Sequence, residues 1–333
     1  MKYKHLISSI VILTTVLACQ TTKEAKTAGT IERIDSELDE IVSKDAKVEI
    51  IAEGFTWSEG PLWIEDQKML LFSDVPENKV FKWTEETGAE LYLTPSGFTG
   101  DSTTSNERGA NGLTLDDEGN LVLCQHGDRR VAIMDAPLDS PKAVYTTLAD
   151  RFEGKRFNSP NDVVMRNYNF YFTDPPYGLG KGVDDSKKEI PFQGVYCAFA
   201  DGKTKVLVDS LTRPNGIAFS PNGKYLFIAN SDPEKAKWYQ YELNDSSEVV
   251  SGKVFYDATS STATEKGLPD GMKVDSKGNI YASGPGGVWI FNSSGKVLGK
   301  VKLTEAASNT ALSSDEKTLF ITNDMYVLRV KLK

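Results

Sequence analysis

The sequence predicts an all-β fold, a six-bladed β-propeller. Three observations carry this reading. A short motif recurs six times along the chain. Most copies are followed by a strand, a Gly/Asn/Asp turn and a second strand, the pattern of a β-hairpin. Helical periodicity is nearly absent after residue 45, which disfavours α/β folds.

The amino-terminal segment precedes the repeats. Lys2 and Lys4 are followed by an apolar run from Leu6 to Ala18, short for a membrane span but suited to the core of a signal peptide. It ends Val16-Leu17-Ala18-Cys19, which resembles a bacterial lipobox, so residues 1–18 read as a lipoprotein signal peptide and Cys19 as the lipid-anchored first residue of an exported cell-envelope protein. Residues 19–45 read as a polar tether and a short amphipathic helix, with Ile31, Ile34, Leu38 and Ile41 as its apolar stripe. Residues 46–333 read as the propeller.

The copies of the motif centre on Glu59, Asn111, Asn161, Asn215, Asp270 and Asn309, at steps of 52, 50, 54, 55 and 39 residues. Turns recur with them: Asp117-Glu118-Gly119-Asn120, Pro221-Asn222-Gly223-Lys224 and Ser276-Lys277-Gly278-Asn279. A unit near fifty residues built of short strands is one blade of a propeller. The short last step predicts that the ring closes with a strand from the amino-terminal side, for which residues 46–52 are suited.

Composition removes several function classes. The 333 residues are 39% hydrophobic and 26% charged, as in soluble globular proteins. Asp plus Glu outnumber Lys plus Arg, 47 to 38, for a net charge of -9, so no basic excess exists for nucleic acid. Only two His are present, one of them in the signal segment, which argues against a His-rich zinc centre. Cys124 and Cys197 both lie in strand-like runs, where buried free thiols compete with a disulfide. No P-loop, HExxH, G-x-S-x-G or CxxC motif occurs.

In a propeller the first strand of each blade starts beside the central channel, so the six repeat anchors should converge at one channel mouth. All are oxygen donors. Hard oxygen ligands suit Ca²⁺, with Mg²⁺, Mn²⁺ or Zn²⁺ as alternatives, so a central-channel metal site is predicted. Asn-Gly and Asp-Gly are also turn formers, but Glu59 in the same slot is not explained by turn chemistry.

Ser58-Glu59-Gly60-Pro61-Leu62-Trp63, Phe72-Ser73-Asp74-Val75-Pro76, Arg156-Phe157-Asn158-Ser159-Pro160-Asn161-Asp162-Val163, Tyr171-Phe172-Thr173-Asp174-Pro175-Pro176-Tyr177-Gly178, Pro214-Asn215-Gly216-Ile217 and Leu268-Pro269-Asp270-Gly271-Met272 together resemble the gluconolactonase/regucalcin (SMP-30-like) family. That family is related more distantly to diisopropyl fluorophosphatase and the paraoxonases. The resemblance covers roughly residues 46–333. It implies a divalent metal, usually calcium, held by Glu59, Asn161, Asn215 and Asp270, and hydrolysis of a lactone, typically a sugar lactone. Asp270 is the predicted catalytic base. Asn111, His126, Asp174 and Tyr177 are predicted substrate contacts, and segments 94–108 and 178–191 are predicted to carry specificity. The partner is then a small-molecule lactone, and the protein a monomer or dimer without nucleic-acid binding. Two other readings keep the fold: an organophosphate or aryl-ester hydrolase, and a non-catalytic propeller that binds a sugar or protein.

Overall fold

The computed structural model describes residues 25–103 and 105–333. The lipobox and Cys19 lie outside them. Six antiparallel sheets form the six blades. Their first strands are Ser58–Ile64, Ala110–Leu115, Val163–Arg166, Pro214–Phe219, Met272–Val274 and Ala307–Leu312. Each of these strands contacts the next in that order, and Ala307–Leu312 returns to Ser58–Ile64, so the inner strands close a ring. No α-helix occurs among the described residues; the helical segments are short 3₁₀ turns.

The ring closes through the amino-terminal side. Val48–Glu53 pairs with Tyr326–Lys331 as the outermost strand of blade 6, as residues 46–52 were suited to do. The expected amphipathic helix around residues 31–41 is not formed. Thr30–Arg33 pairs with Val297–Lys302 as a fifth strand on blade 5, and a 3₁₀ helix follows at Ser36–Glu40. Two-residue alternation turns Ile31 inward and the next turn buries Leu38 and Val42, while Ile34 is left 52% exposed. Offering its backbone to the edge of blade 5 satisfies this segment's amides better than a short isolated helix would.

Among the described residues, apolar side chains gather into six buried clusters, one at each blade interface. Phe72 and Trp83 of blade 1 meet Phe320 and Val327 of blade 6 in one; Val122 and Cys124 of blade 2 meet Val163 and Phe172 of blade 3 in another. Blade sheets buried on both faces explain the near-continuous apolar runs, such as Met69-Leu70-Leu71-Phe72. Cys124 and Cys197 are free, buried thiols.

Near the axis the blades touch through backbone. Gly112 N donates to Asn161 O at 2.7 Å, and Gly271 N donates to Ser308 O at 2.7 Å. Hydroxyls staple other interfaces: Ser73 Oγ donates to Asn111 O at 2.9 Å, Thr173 Oγ1 to Asn215 O at 2.7 Å, and Ser308 Oγ to Ser58 O at 2.6 Å. The glycines that follow four of the six anchors have a packing reason. A Cβ on Gly60 would stand 2.0 Å from Asn111 O, and one on Gly216 2.2 Å from Asp270 O. The Asn-Gly and Asp-Gly pairs at the anchors are thus close approaches of inner strands, not turns. Gly216→Ala should cost about 1–3 kcal/mol by overpacking, read as a Tm lowered by several degrees. An unchanged Tm would contradict this account of the repeat.

Candidate active site in the channel mouth

Five of the anchors sit at or just before the start of a blade's first strand. Glu59, Asn111 and Asn215 are each the second residue of a first strand; Asn161 and Asp270 lie two residues before theirs. The segments leading in are clamped by the end of the neighbouring strand. Asp74 accepts from the backbone N–H groups of Thr56 and Trp57 at 3.0 and 3.1 Å, and Asn230 Oδ1 accepts from Arg213 N at 2.8 Å. Asp174 belongs to this device: it is fully buried and accepts from Asn158 N and Ser159 N, both at 2.8 Å. The predicted mouth contact at Asp174 is therefore corrected. Its carboxylate ends a strand and holds the segment that carries Asn161.

Five of the six anchors meet in one cavity of about 310 Å³. Glu59, Asn111, Asn161, Asn215 and Asp270 line it, together with Trp57, Glu107, Tyr177, Ser231 and Leu268. All four predicted metal ligands and the predicted contacts Asn111 and Tyr177 are thus brought together. A wider groove of about 830 Å³ runs past Trp63, Leu115 and Leu138, but its acids are exposed and no anchor reaches it.

The hydrogen bonds decide which end of each amide faces the cavity. Asn215 Nδ2 donates to Ser231 Oγ at 3.0 Å, which leaves its oxygen as the free end. Asn161 Nδ2 lies 3.3 Å from His126 Nε2, and Asn161 Oδ1 is buried without a partner among the described residues. Asn111 Oδ1 and Asp270 Oδ1 are likewise buried and unpartnered. Glu59 Oε2 accepts from Gly60 N at 2.9 Å and faces Asn309 Nδ2 at 3.4 Å. The sixth anchor plays a different part. Asn309 Oδ1 accepts from Thr310 N at 2.8 Å, so Asn309 turns its N–H toward Glu59 and supports that carboxylate.

His126 is fully buried behind Asn161 and does not line the cavity. Burial drives its pKa down to about 3, so the ring is neutral and its Nε2 can accept from the Asn161 amide. It orients Asn161 and offers no acid to a substrate.

The electrostatics point the same way. Burial pushes Glu59 up to about 8, with Asp162 adding to the rise. Asp270 is raised well above the usual carboxylate range, by burial first and by Glu59 next. No Lys or Arg lines the cavity. Buried polar oxygens without partners and buried acids without a counter-charge are both costly. A divalent cation held by Glu59, Asp270 and the oxygens of Asn161 and Asn215 would satisfy the oxygens and neutralise the acids, so the residues fit such an ion. Among the described residues no three Cys, His, Asp or Glu side chains form a metal cluster, so amides must complete the donor set.

Some lining residues were not singled out from the sequence. Trp57 and Leu268 adjoin the Ser-Glu-Gly and Pro-Asp-Gly motifs, so their place follows from those motifs. Ser231 just follows the strand Tyr225–Asn230. Glu107 lies in a segment with no repeat signal, although within the 94–108 stretch predicted to carry specificity.

Carboxyls with raised folded pKa values hold protons that the unfolded chain has released. The cation-free protein should therefore lose stability as pH rises from about 4.5 through about 8, the window between unfolded and folded values for Glu59. A cation needs the ionised forms, so calcium should raise Tm more at about pH 8 than at about pH 5.5. Equal shifts in a thermal melt at the two pH values would contradict this.

A family model described as the SMP-30/Gluconolactonase/LRE-like region matches residues 57–324. The chain is 34% identical over 323 residues to a gluconolactonase of Zymomonas mobilis, covering 95% of this chain and 90% of that protein. The solved structure of a gluconolactonase from Xanthomonas campestris superposes with a TM-score of 0.78 at 27% identity, covering 94% of this chain and 99% of that one. A calcium-binding protein of Agrobacterium tumefaciens, regucalcin, shares the fold with a TM-score of 0.66 at 17% identity, covering 85% of this chain and 94% of that one.

Proposed function

This chain belongs to the SMP-30/gluconolactonase/LRE-like family, and on that premise we propose that it is a calcium-dependent lactonase that opens a sugar lactone such as gluconolactone. Hydrolysis of a lactone is supported by the gluconolactonases it is similar to. The observation that carries the finer reading is the set of buried, unpartnered oxygens of Asn111, Asn161 and Asp270 in a cavity that also holds Glu59.

Glu59, Asn161, Asn215 and Asp270 are the proposed ligands of the cation. A divalent ion there would polarise the ester carbonyl and lower the pKa of a neighbouring water. The chain's own residues do the rest. Asp270 turns an oxygen without a partner into the cavity, placed to take a proton from the attacking water as general base. Opposite charge beside Asp270 would bring its pKa back down and keep it ionised at neutral pH. Tyr177 lines the same cavity, and burial raises its phenol, so it stays an O–H donor for substrate oxygen. Asn111 offers an unpartnered amide oxygen to a substrate hydroxyl. His126 and Ser231 fix the amides of Asn161 and Asn215, so the donor set is pre-organised. The lipobox-like end of the signal segment would place this activity on the cell envelope, tethered through Cys19.

Acid release from glucono-δ-lactone in a pH-stat, with and without EDTA, tests the reading. Turnover should require the cation. Asp270→Asn should lower kcat by about 10²–10⁴ when calcium is supplied at saturation. Turnover that persists in EDTA, or a calcium-loaded Asp270→Asn enzyme with wild-type kcat, would contradict it.

A further inference from the structure

Glu107 is a cavity-lining carboxylate that is not one of the repeat anchors. It comes from the loop between the last strand of blade 1, Gly88–Leu93, and the first strand of blade 2, Ala110–Leu115. The loop is held in place rather than left free. Asn78 Oδ1 accepts from the N–H groups of Ser96, Gly97 and Phe98 at 3.1, 2.7 and 3.1 Å. Ser105 Oγ accepts from Glu107 N and donates to Glu107 O, both at 3.1 Å. Arg108 Nε donates to Pro76 O at 3.3 Å, and Gly109 N to Val75 O at 2.8 Å. The backbone on both sides of Glu107 is therefore fixed, and its side chain is aimed at the cavity.

That side chain has nothing of the protein to do there. It is 43% exposed at the mouth, and the basic side chain beside it is His126, whose Nδ1 is 3.7 Å away and too far for a hydrogen bond. Its negative charge adds to the burden on Glu59 and Asp270. A third acid beside two others is unfavourable unless a ligand brings donors to it. A carboxylate without a hydrogen bond is an acceptor for hydroxyl groups, and two adjacent hydroxyls can meet its two oxygens. Half-buried Trp57 lines the same cavity and supplies a flat apolar face for the C–H side of a ring.

We propose that Glu107 is a specificity-determining residue: its carboxylate accepts hydrogen bonds from ring hydroxyls of a polyhydroxylated lactone, with the ring laid against Trp57. The inference rests on the lactonase reading for the reaction but concerns hydroxyl recognition, which can be measured without turnover. A site built around a hydroxyl acceptor discriminates against ligands that lack the hydroxyl.

The test is calorimetric binding of anhydro-D-glucitol to the calcium-loaded full chain, wild type and Glu107→Gln. This pyranose carries the hydroxyls of gluconolactone and no carbonyl. Loss of a charge-assisted hydrogen bond should weaken its binding about tenfold or more in the variant, while the calcium affinity of the two proteins agrees. Turnover of glucono-δ-lactone and of unsubstituted δ-valerolactone is measured beside it. The preference for the hydroxylated lactone should fall about tenfold in the variant, through KM rather than kcat. Equal binding to both proteins, no binding to the wild type, or a parallel loss of calcium would overturn the assignment. Glu107-dependent binding without any lactone turnover would uphold it and remove the lactonase reading instead.

Discussion

Six inner strands meet at the axis of this molecule with almost no room between their backbones. Gly112 has no space for a side chain beside Asn161 and Asp162, nor Gly271 beside Asn309. This contact is what the repeat encodes. A strand that must touch its neighbour at one point needs glycine there, and the residue just before it projects into the mouth of the channel. Where glycine is replaced, the chain uses the extra atoms. Asp162 takes the slot in blade 3, and its carboxylate accepts from Val163 N at 2.9 Å and faces Ile217 N of blade 4 at 3.4 Å. The same closeness that joins the blades therefore gathers the polar anchors into one small cavity.

That gathering has an electrostatic consequence. Glu59, Asp162 and Asp270 are packed together with no Lys or Arg in the cavity wall, and each is raised above the ordinary carboxylate range, with burial as the largest cause. Amide oxygens of Asn111 and Asn161 add unpartnered lone pairs to the same space. A fold held only by apolar contacts would not keep such an arrangement, because each group costs stability until something positive fills the centre. The clamps at Asp74, Asp174 and Asn230 and the fixed amides of Asn161 and Asn215 hold the donors against mutual repulsion. Rigidity of this kind suits the cation site proposed above, whose donors are set in place in advance.

How much of this was legible in the sequence follows from the same physics. The blade count and the closing strand were legible because each anchor sits at a fixed place in a repeated unit. The convergence of the anchors was legible because distant copies of one slot must meet near one axis. The segment around Ile31 and Ile34 was not, since an apolar residue every three or four positions also suits a strand followed by a tight turn, and only pairing with Val297–Lys302 decides between them. Asp174 was misplaced because its motif ends a strand at the mouth, and sequence alone does not tell an acid that faces inward to the backbone from one that faces solvent. Glu107 carried no signal, because loop position depends on contacts such as those of Asn78 and Ser105, which leave no period.

Anomalous diffraction from a crystal soaked in manganese tests the central claim most directly, since it locates a cation without reference to activity. The account predicts one strong peak on the channel axis, within coordination distance, roughly 2.0–2.6 Å, of oxygens from Glu59, Asn215 and Asp270. A channel without a peak, or a peak only among exposed surface acids, would contradict it.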